Sequence, residues 1–190
     1  SAIANAKIGD EKLTDEFLDG SWLLIIFAGN DTTRNTMSGG IKLLHENQSQ
    51  KDLLMNNLDL LPNFINETVR CVSPVIHMRR TSLEEAEING QKIGPYEKIS
   101  LWYGAANRDP DIFENPDEFN ILRENADKHL AFGIGRHTCL GKPVALMQLK
   151  EFYSQFLTRF KDFEMNGDWK VAPNNFVHAI QEMPIKFTPE

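Results

Sequence analysis

From Thr14 to about residue 45 the sequence reads as a single helix, roughly 48 Å long at ~1.5 Å per residue. A helix of that length crosses a whole domain, so the rest of a 190-residue chain is arranged around it. Thr14 is a suitable N-cap, and Asp15 and Glu16 place negative charge in the first turn, where the helix dipole favours it. Apolar residues continue through Phe17, Leu18, Trp22, Leu23, Ile25 and Ile26, and later Met37, Ile41, Leu43 and Leu44. The middle breaks the pattern. Ala28-Gly29-Asn30-Asp31-Thr32-Thr33 sets a glycine and four polar side chains directly after the most apolar segment, and such departures from local rules concentrate at functional sites.

A second helix is expected from about Pro62 to Cys71, stopped by Ser73-Pro74. The period then changes to two: Arg80, Ser82, Glu87, Ile88, Asn89-Gly90 and Gln91 to Ile93 read as a β-hairpin with a type I′ turn, and Lys98 to Tyr103 as another strand. Residues 104 to 130, with Asn107-Arg108-Asp109-Pro110 and Asn115-Pro116-Asp117, form an irregular, turn-rich meander. A glycine-rich stretch at 133 to 141 leads into a last helix, Lys142 to about Phe160. Its apolar face is assigned to Val144, Leu146, Met147, Leu149, Phe152, Phe156 and Leu157. The tail from 161 to 190 reads as short strands. Hydrophobic residues at 41% and charged residues at 25% support a buried core, and 20 basic against 27 acidic residues, net −7, exclude an overall cationic nucleic-acid coat. The longest apolar run, Trp22 to Ala28, is far below the roughly 18 residues a membrane span needs. Two well-separated cysteines, Cys71 and Cys139, without a signal pattern point to a reduced, cytoplasmic protein. The opening SAIANAKIGDEK reads as a chain entered partway through.

The strongest chemical signal is Phe132-Gly133-Ile134-Gly135-Arg136-His137-Thr138-Cys139-Leu140-Gly141. A lone cysteine is usually a small buried hydrophobe, and Cys71, at the end of an apolar helix, reads that way. Cys139 has glycines on both sides and a helix starting just after it. Backbone can approach closely there, and the helix N-terminus favours the thiolate, the form that binds metal or attacks an electrophile. Tetrahedral zinc would need further spaced ligands, and His137, two positions away, is poorly placed as a base. An axial thiolate to haem iron needs one cysteine and no second protein ligand, and the sequence fits that demand best.

These ten residues resemble the haem-binding loop of the cytochrome P450 monooxygenases at every position of its pattern. The resemblance implies a mainly α fold with small β-sheets, the C-terminal half of the P450 fold, with all of 1–190 belonging to one catalytic domain whose N-terminal half is absent. It implies haem b bound through Cys139, with Phe132 beside the sulfur, Gly133 and Gly141 close to the macrocycle, and His137 or Arg136 near a propionate. Arg80, or its neighbour Arg79, matches the strand arginine that pairs with a propionate. Glu67 and Arg70 match the Glu-x-x-Arg pair, and Arg123 its meander partner, in a structural role. Taken alone, Glu67 and Arg70 would be a surface ion pair of a few tenths of a kcal/mol.

By the same resemblance Ala28 and Gly29 make room for dioxygen, and Asp31 and Thr32 are the acid-alcohol pair that relays protons; the bland alternative is a Thr32 hydroxyl bonded back to a helix carbonyl. Substrate-lining positions are Leu24, Ala28 and Gly29, then Val75, Ile76 and His77, then Phe176 and Val177. The stretches 29–40, 78–80, 107–109 and 175–177 look like the soluble bacterial branch that hydroxylates the terminal carbon of medium-chain alkanes and fatty acids, with bacterial steroid and terpenoid hydroxylases sharing several of them. The activity implied is insertion of one oxygen atom from O2 into a C–H bond, with NAD(P)H electrons arriving through a ferredoxin-type partner and its reductase. Lys128, Arg136 and Lys142 flank the Cys loop and would steer an acidic partner. A Cys139-dependent hydrolase or transferase and a non-catalytic helical binding module are the readings of another class.

Overall fold

The computed structural model describes residues 3–160 and 162–188. A short ribbon of β1 (Lys7–Ile8) and β2 (Glu11–Lys12) precedes α1, Asp15–Glu46. The Thr14 hydroxyl accepts the Phe17 N–H at 3.2 Å, as its capping role requires. Only the second half of α1 is packed: Thr33, Asn35, Thr36, Gly39, Gly40, Ile41 and Leu44 are buried, whereas Leu23 is 71% and Leu24 64% exposed. α1 therefore extends an apolar face beyond the core, a surface of the kind that is normally covered.

The packed half of α1 meets α3 (Leu61–Val72) and α5 (Lys142–Arg159), with α2 (Gln48–Asn56) alongside. Glycines permit the close crossing. A Cβ at Gly39 would lie 2.6 Å from Val72 Cγ2 and one at Gly40 2.9 Å from Thr68 Cγ2, with Tyr153 Oη closer still. Tyr153 fills that gap and donates to the Thr36 and Met37 carbonyls, at 2.9 and 3.1 Å. Phe64 sits edge-on to both Phe119 and Tyr153, which joins the meander to the helices. One expectation is corrected here: Val144 and Met147 are exposed at 53% and 64%, and the residues of α5 that enter the core are Leu149, Tyr153 and Leu157. Leu146 still packs against the edge of the core, whereas Val144 and Met147 lie on the side of α5 turned away from α1 and α3.

α3 ends at Ser73, whose φ of +43° is left-handed, and the chain turns into β3 (His77–Thr81). β4 (Ala86–Ile88) and β5 (Gln91–Ile93) form the expected hairpin, with Asn89 and Gly90 at φ +49° and +80°, as a type I′ turn demands. β6 (Lys98–Trp102) returns antiparallel to β3, pairing His77 with Trp102 and Arg79 with Ser100. After the one-turn α4 (Tyr103–Ala106) the meander runs to residue 130 without a long element. In the tail, β7 (Glu164–Met165) pairs with β10 (Ile185–Lys186), and β8 (Lys170–Val171) with β9 (Ile180–Glu182).

Candidate functional site

Glu67, Arg70 and Arg123 converge in the interior, at 0%, 0% and 8% exposure. Arg70 makes a two-pronged contact with Glu67, Nε to Oε2 and Nη2 to Oε1 both at 2.8 Å, and Arg123 Nε reaches Oε1 at 3.1 Å. Two guanidiniums on one carboxylate leave an excess positive charge, which carbonyl dipoles of the meander absorb. Arg70 donates to Asn107, Pro116 and Glu118, and Arg123 to Glu114, Asn115 and Glu118. Burial opposes the charge on Arg70, and its bonds to Glu67 outweigh that and hold its pKa above the ordinary value. Cys71 also touches this cluster, its sulfur 3.2 Å from Arg70 Nη2. Burial, and then the Glu67 charge, push its thiol up to about 11, so Cys71 is protonated at neutral pH.

The Cys139 loop is bent by Gly133 and Gly135, at φ +69° and +71°. A Cβ at Gly133 would sit 3.4 Å from the His137 carbonyl, so that position combines left-handed backbone with tight space. At Gly141 φ is −80° and an added Cβ would come to 3.9 Å from the Cys139 sulfur, so among the described residues neither backbone nor space requires glycine there. The Cys139 N–H donates to the Phe132 carbonyl at 2.8 Å, and α5 starts three residues on. Cys139 itself is exposed, as are Leu140 at 92% and Ile134 at 77%. Among the described residues no hydrogen bond joins the Cys139 sulfur to His137.

His129, absent from the expectations, lies under this loop. It is 8% exposed, tilts against the Phe132 ring at 5.6 Å and accepts the Ala131 N–H at 3.3 Å. Burial, and then the Lys142 charge, lower its pKa from 6.5 to about 4. The unfolded chain binds this proton more readily than the folded one, so the contribution is fully present above pH 6.5 and lost as pH falls towards 4. Across that window His129 is expected to cost the fold up to about 3 kcal/mol. Denaturant unfolding of His129→Gln should show a shallower acid-side decline than the parent, and parallel pH profiles would refute this.

On α1, Thr32 Oγ1 donates to the Ala28 carbonyl at 2.8 Å, and Thr36 Oγ1 and Asn35 Nδ2 bond back to Thr32 and Asp31 at the same distance. The helix continues through this polar segment. Asp31 Oδ1 meets Arg34 Nη2 at 2.8 Å in a solvent-accessible pair. A Cβ at Gly29 would meet nothing within 4 Å.

The three apolar segments do come together. Val75 bridges Val177, the Ile76 N–H donates to the Phe176 carbonyl at 2.9 Å, and Phe27 stacks on Phe176 with ring centroids 6.1 Å apart. Val177 is only 3% exposed, so Phe176 presents the surface at this corner. Phe27 lies in the uniformly apolar run 22–28, where no local sequence mark sets it apart from its neighbours. His77 packs edge-on to Trp102 at 4.9 Å, yet its Nδ1 is buried with no partner among the described residues. A purely apolar neighbour would leave that nitrogen unsatisfied. Strand alternation puts His77 on the same face of β3 as Arg79, while Arg80 faces the other way and donates to the Arg79 carbonyl at 2.8 Å.

The cytochrome P450 family model matches residues 42–188, so the chain belongs to the cytochrome P450 family. It is 37% identical over 188 residues to cytochrome P450-terp of Pseudomonas sp, covering 99% of this chain and 44% of that protein. It is 37% identical over 191 residues to the steroid C26-monooxygenase of Mycolicibacterium smegmatis, covering all of this chain and 47% of the other. The solved structure of cytochrome P450-153 from Novosphingobium aromaticivorans superposes with a TM-score of 0.88 at 38% identity, over 93% of this chain and 45% of that one. The chain thus spans about half the length of the relatives it matches. No helix among the described residues is long and apolar enough to cross a membrane.

Proposed function

We propose that this chain is the haem-ligating, C-terminal portion of a P450 monooxygenase domain and that Cys139 is the axial thiolate. The observation that carries the reading is the exposed Cys139 on a loop fixed by two left-handed glycines and the Cys139-to-Phe132 backbone bond. The residues present fit haem. An accessible sulfur lies amid exposed apolar side chains, Ile134, Leu140 and Val144, and the first half of α1 offers a second uncovered apolar face. The orphaned Nδ1 of His77, beside Arg79, suits the anionic edge of the same group.

Bound through Cys139, haem iron supplies the oxygen chemistry that converts R–H, O2, two electrons and two protons into R–OH and water. The chain supplies the surroundings. Arg79, His77, His137 and, on the opposite strand face, Arg80 are the candidates to hold the propionates. Asp31, at the solvent edge of α1, takes up protons at its carboxylate. Thr32 donates its hydroxyl hydrogen to the Ala28 carbonyl, so a relay through Thr32 turns the hydroxyl away from that carbonyl before it passes its hydrogen on and takes another from Asp31 or an intervening water. Ala28 and Gly29 leave space beside that hydroxyl. Electrons begin on NAD(P)H and arrive through a ferredoxin-type donor and reductase, guided by Lys128, Arg136 and Lys142.

The substrate is apolar, approached by Leu24, Phe27, Ile76 and Phe176, and the motif likeness favours a medium-chain alkane or fatty acid hydroxylated at its terminal carbon. The relative named as a steroid C26-monooxygenase favours a steroid as the second reading. Spectral titration of the complete enzyme with fatty acids, alkanes and sterols tests the choice. Thr32→Ala should keep haem and substrate binding but divert reducing equivalents to hydrogen peroxide. Product per nicotinamide consumed should fall severalfold, within the ~10²-fold or more that acid-base groups contribute. Unaltered coupling in a folded, haem-replete variant would remove Thr32 from the relay.

A further inference from the structure

Asn107 is fully buried at 0% exposure, and each of its polar groups has a separate partner. Its backbone carbonyl accepts from Arg70 Nη1 at 2.8 Å, which connects it to the Glu67 cluster. Its Nδ2 donates to Ser73 Oγ at 2.8 Å, and that hydroxyl donates on to the Arg70 carbonyl at 2.8 Å. Its Oδ1 accepts the Leu130 N–H at 2.6 Å. The amide orientation is forced, because a backbone N–H can only donate and must face the oxygen. Leu130 opens the segment that ends at Cys139. Its own carbonyl accepts the Gly133 N–H at 2.8 Å, and the Phe132 carbonyl accepts the Cys139 N–H at 2.8 Å. Three successive hydrogen bonds therefore connect the Asn107 side chain to the backbone of the cysteine.

We infer that Asn107 is a positioning residue for the Cys139 sulfur: its side-chain oxygen sets where the loop begins, while its backbone carbonyl is held by Arg70. The inference rests on the reading of Cys139 as the haem ligand. An amide is needed because one short side chain must accept from Leu130 and donate to Ser73 at once. The two arms are separable, since substitution of the side chain leaves the backbone carbonyl in place for Arg70. Asn107→Ala thus removes the anchor of the loop without disconnecting the Glu67 cluster. Asn107→Asp keeps an acceptor for Leu130, and Ser73→Ala breaks only the other arm.

The test uses the complete haem-containing enzyme and two readouts. Amide hydrogen exchange, resolved at Leu130, Gly133 and Cys139, should speed up about tenfold in Asn107→Ala, the order expected for one net hydrogen bond lost. The red-shifted band of the reduced carbon monoxide complex, which reports an intact thiolate ligand, should be partly lost in the same variant. Asn107→Asp should restore most of it, and Ser73→Ala should keep it even if it lowers the unfolding temperature. Parental exchange and a parental band in Asn107→Ala would overturn the inference. So would a Ser73→Ala band as diminished as that of Asn107→Ala, because both losses would then be general destabilisation. If Asn107→Ala does not accumulate, the parent decides: Leu130 must be protected together with Cys139, and a freely exchanging Leu130 beside a protected Cys139 refutes the anchor. Exchange needs no iron ligation, so its failure is distinct from failure of the Cys139 assignment.

Discussion

Glu67→Ala should remove about 3 to 5 kcal/mol of stability, the cost of leaving a buried charge without its partner. Here two cations are stranded, Arg70 at 0% and Arg123 at 8% exposure. Set against the roughly 5 to 15 kcal/mol that holds a typical domain together, that is a large share, and little folded protein should accumulate. Glu67→Gln should fare only slightly better: one amide oxygen can serve one guanidinium, but the NH2 group faces donors. The cost is not confined to an ion pair. Because Arg70 also holds the carbonyls of Asn107, Pro116 and Glu118, an apolar Glu67→Leu, Arg70→Met pair should fail to rescue the fold, although buried pairs are often replaceable by apolar ones. The exposed Lys170–Glu182 pair at 2.7 Å is the control, and Glu182→Ala should stay within about 0.5 kcal/mol of the parent. Denaturant midpoints measure all four variants. A Glu67→Ala protein within 1 kcal/mol of the parent, or a stable apolar pair, would refute the account.

The sequence made this cluster look modest because its strength is tertiary. Glu67 and Arg70, three apart on a helix, carry no local sign that the meander will fold over them. The same limit explains other departures. The cap at Thr14, the stop at Ser73-Pro74 and the Asn89-Gly90 turn are encoded by neighbouring residues, and each forms as expected. α2 has no comparable mark: it is nine largely polar residues that gain their place through Leu54 and through Lys51, whose Nζ donates to the Phe163 carbonyl at 2.7 Å. Apolar periodicity could not separate the residues of α5 that face the core from Val144 and Met147, which face away from it, because every one is hydrophobic. His129 carried no mark in the sequence, and Asn107, visible there as part of the Asn107-Arg108-Asp109 stretch, gave no sign of its buried contacts. The importance of His129 lies in its burial, and that of Asn107 in partners more than twenty positions distant, Arg70, Ser73 and Leu130, neither of which a window of sequence displays.

Cys139→Ala should abolish the red-shifted carbon monoxide band of the reduced enzyme, while Cys71→Ala should retain it. The two thiols differ in surroundings as much as in position. Cys139 is exposed on its loop, with its N–H fixed to the Phe132 carbonyl at 2.8 Å, which leaves the sulfur accessible to a bound group. Cys71 is held inside α3 against Arg70, and burial with the Glu67 charge keeps it protonated with a pKa of about 11, so it cannot present a thiolate at neutral pH. Cys71→Ala loses two weak contacts, from Arg70 Nη2 and to Glu67 Oε1, while Arg70 Nη2 retains Glu67 and Glu118 as acceptors, and the expected loss of stability is about 1 kcal/mol. Product formation by Cys139→Ala should fall severely, since Cys71, the other cysteine, is protonated and held against Arg70 inside α3. Haem content, the carbon monoxide spectrum and turnover are to be measured on the same preparations of the complete enzyme. A persistent band in Cys139→Ala, or its loss in a folded Cys71→Ala, would reverse the assignment. Ester hydrolysis by haem-free protein, blocked by thiol alkylation, would instead favour the Cys-dependent hydrolase.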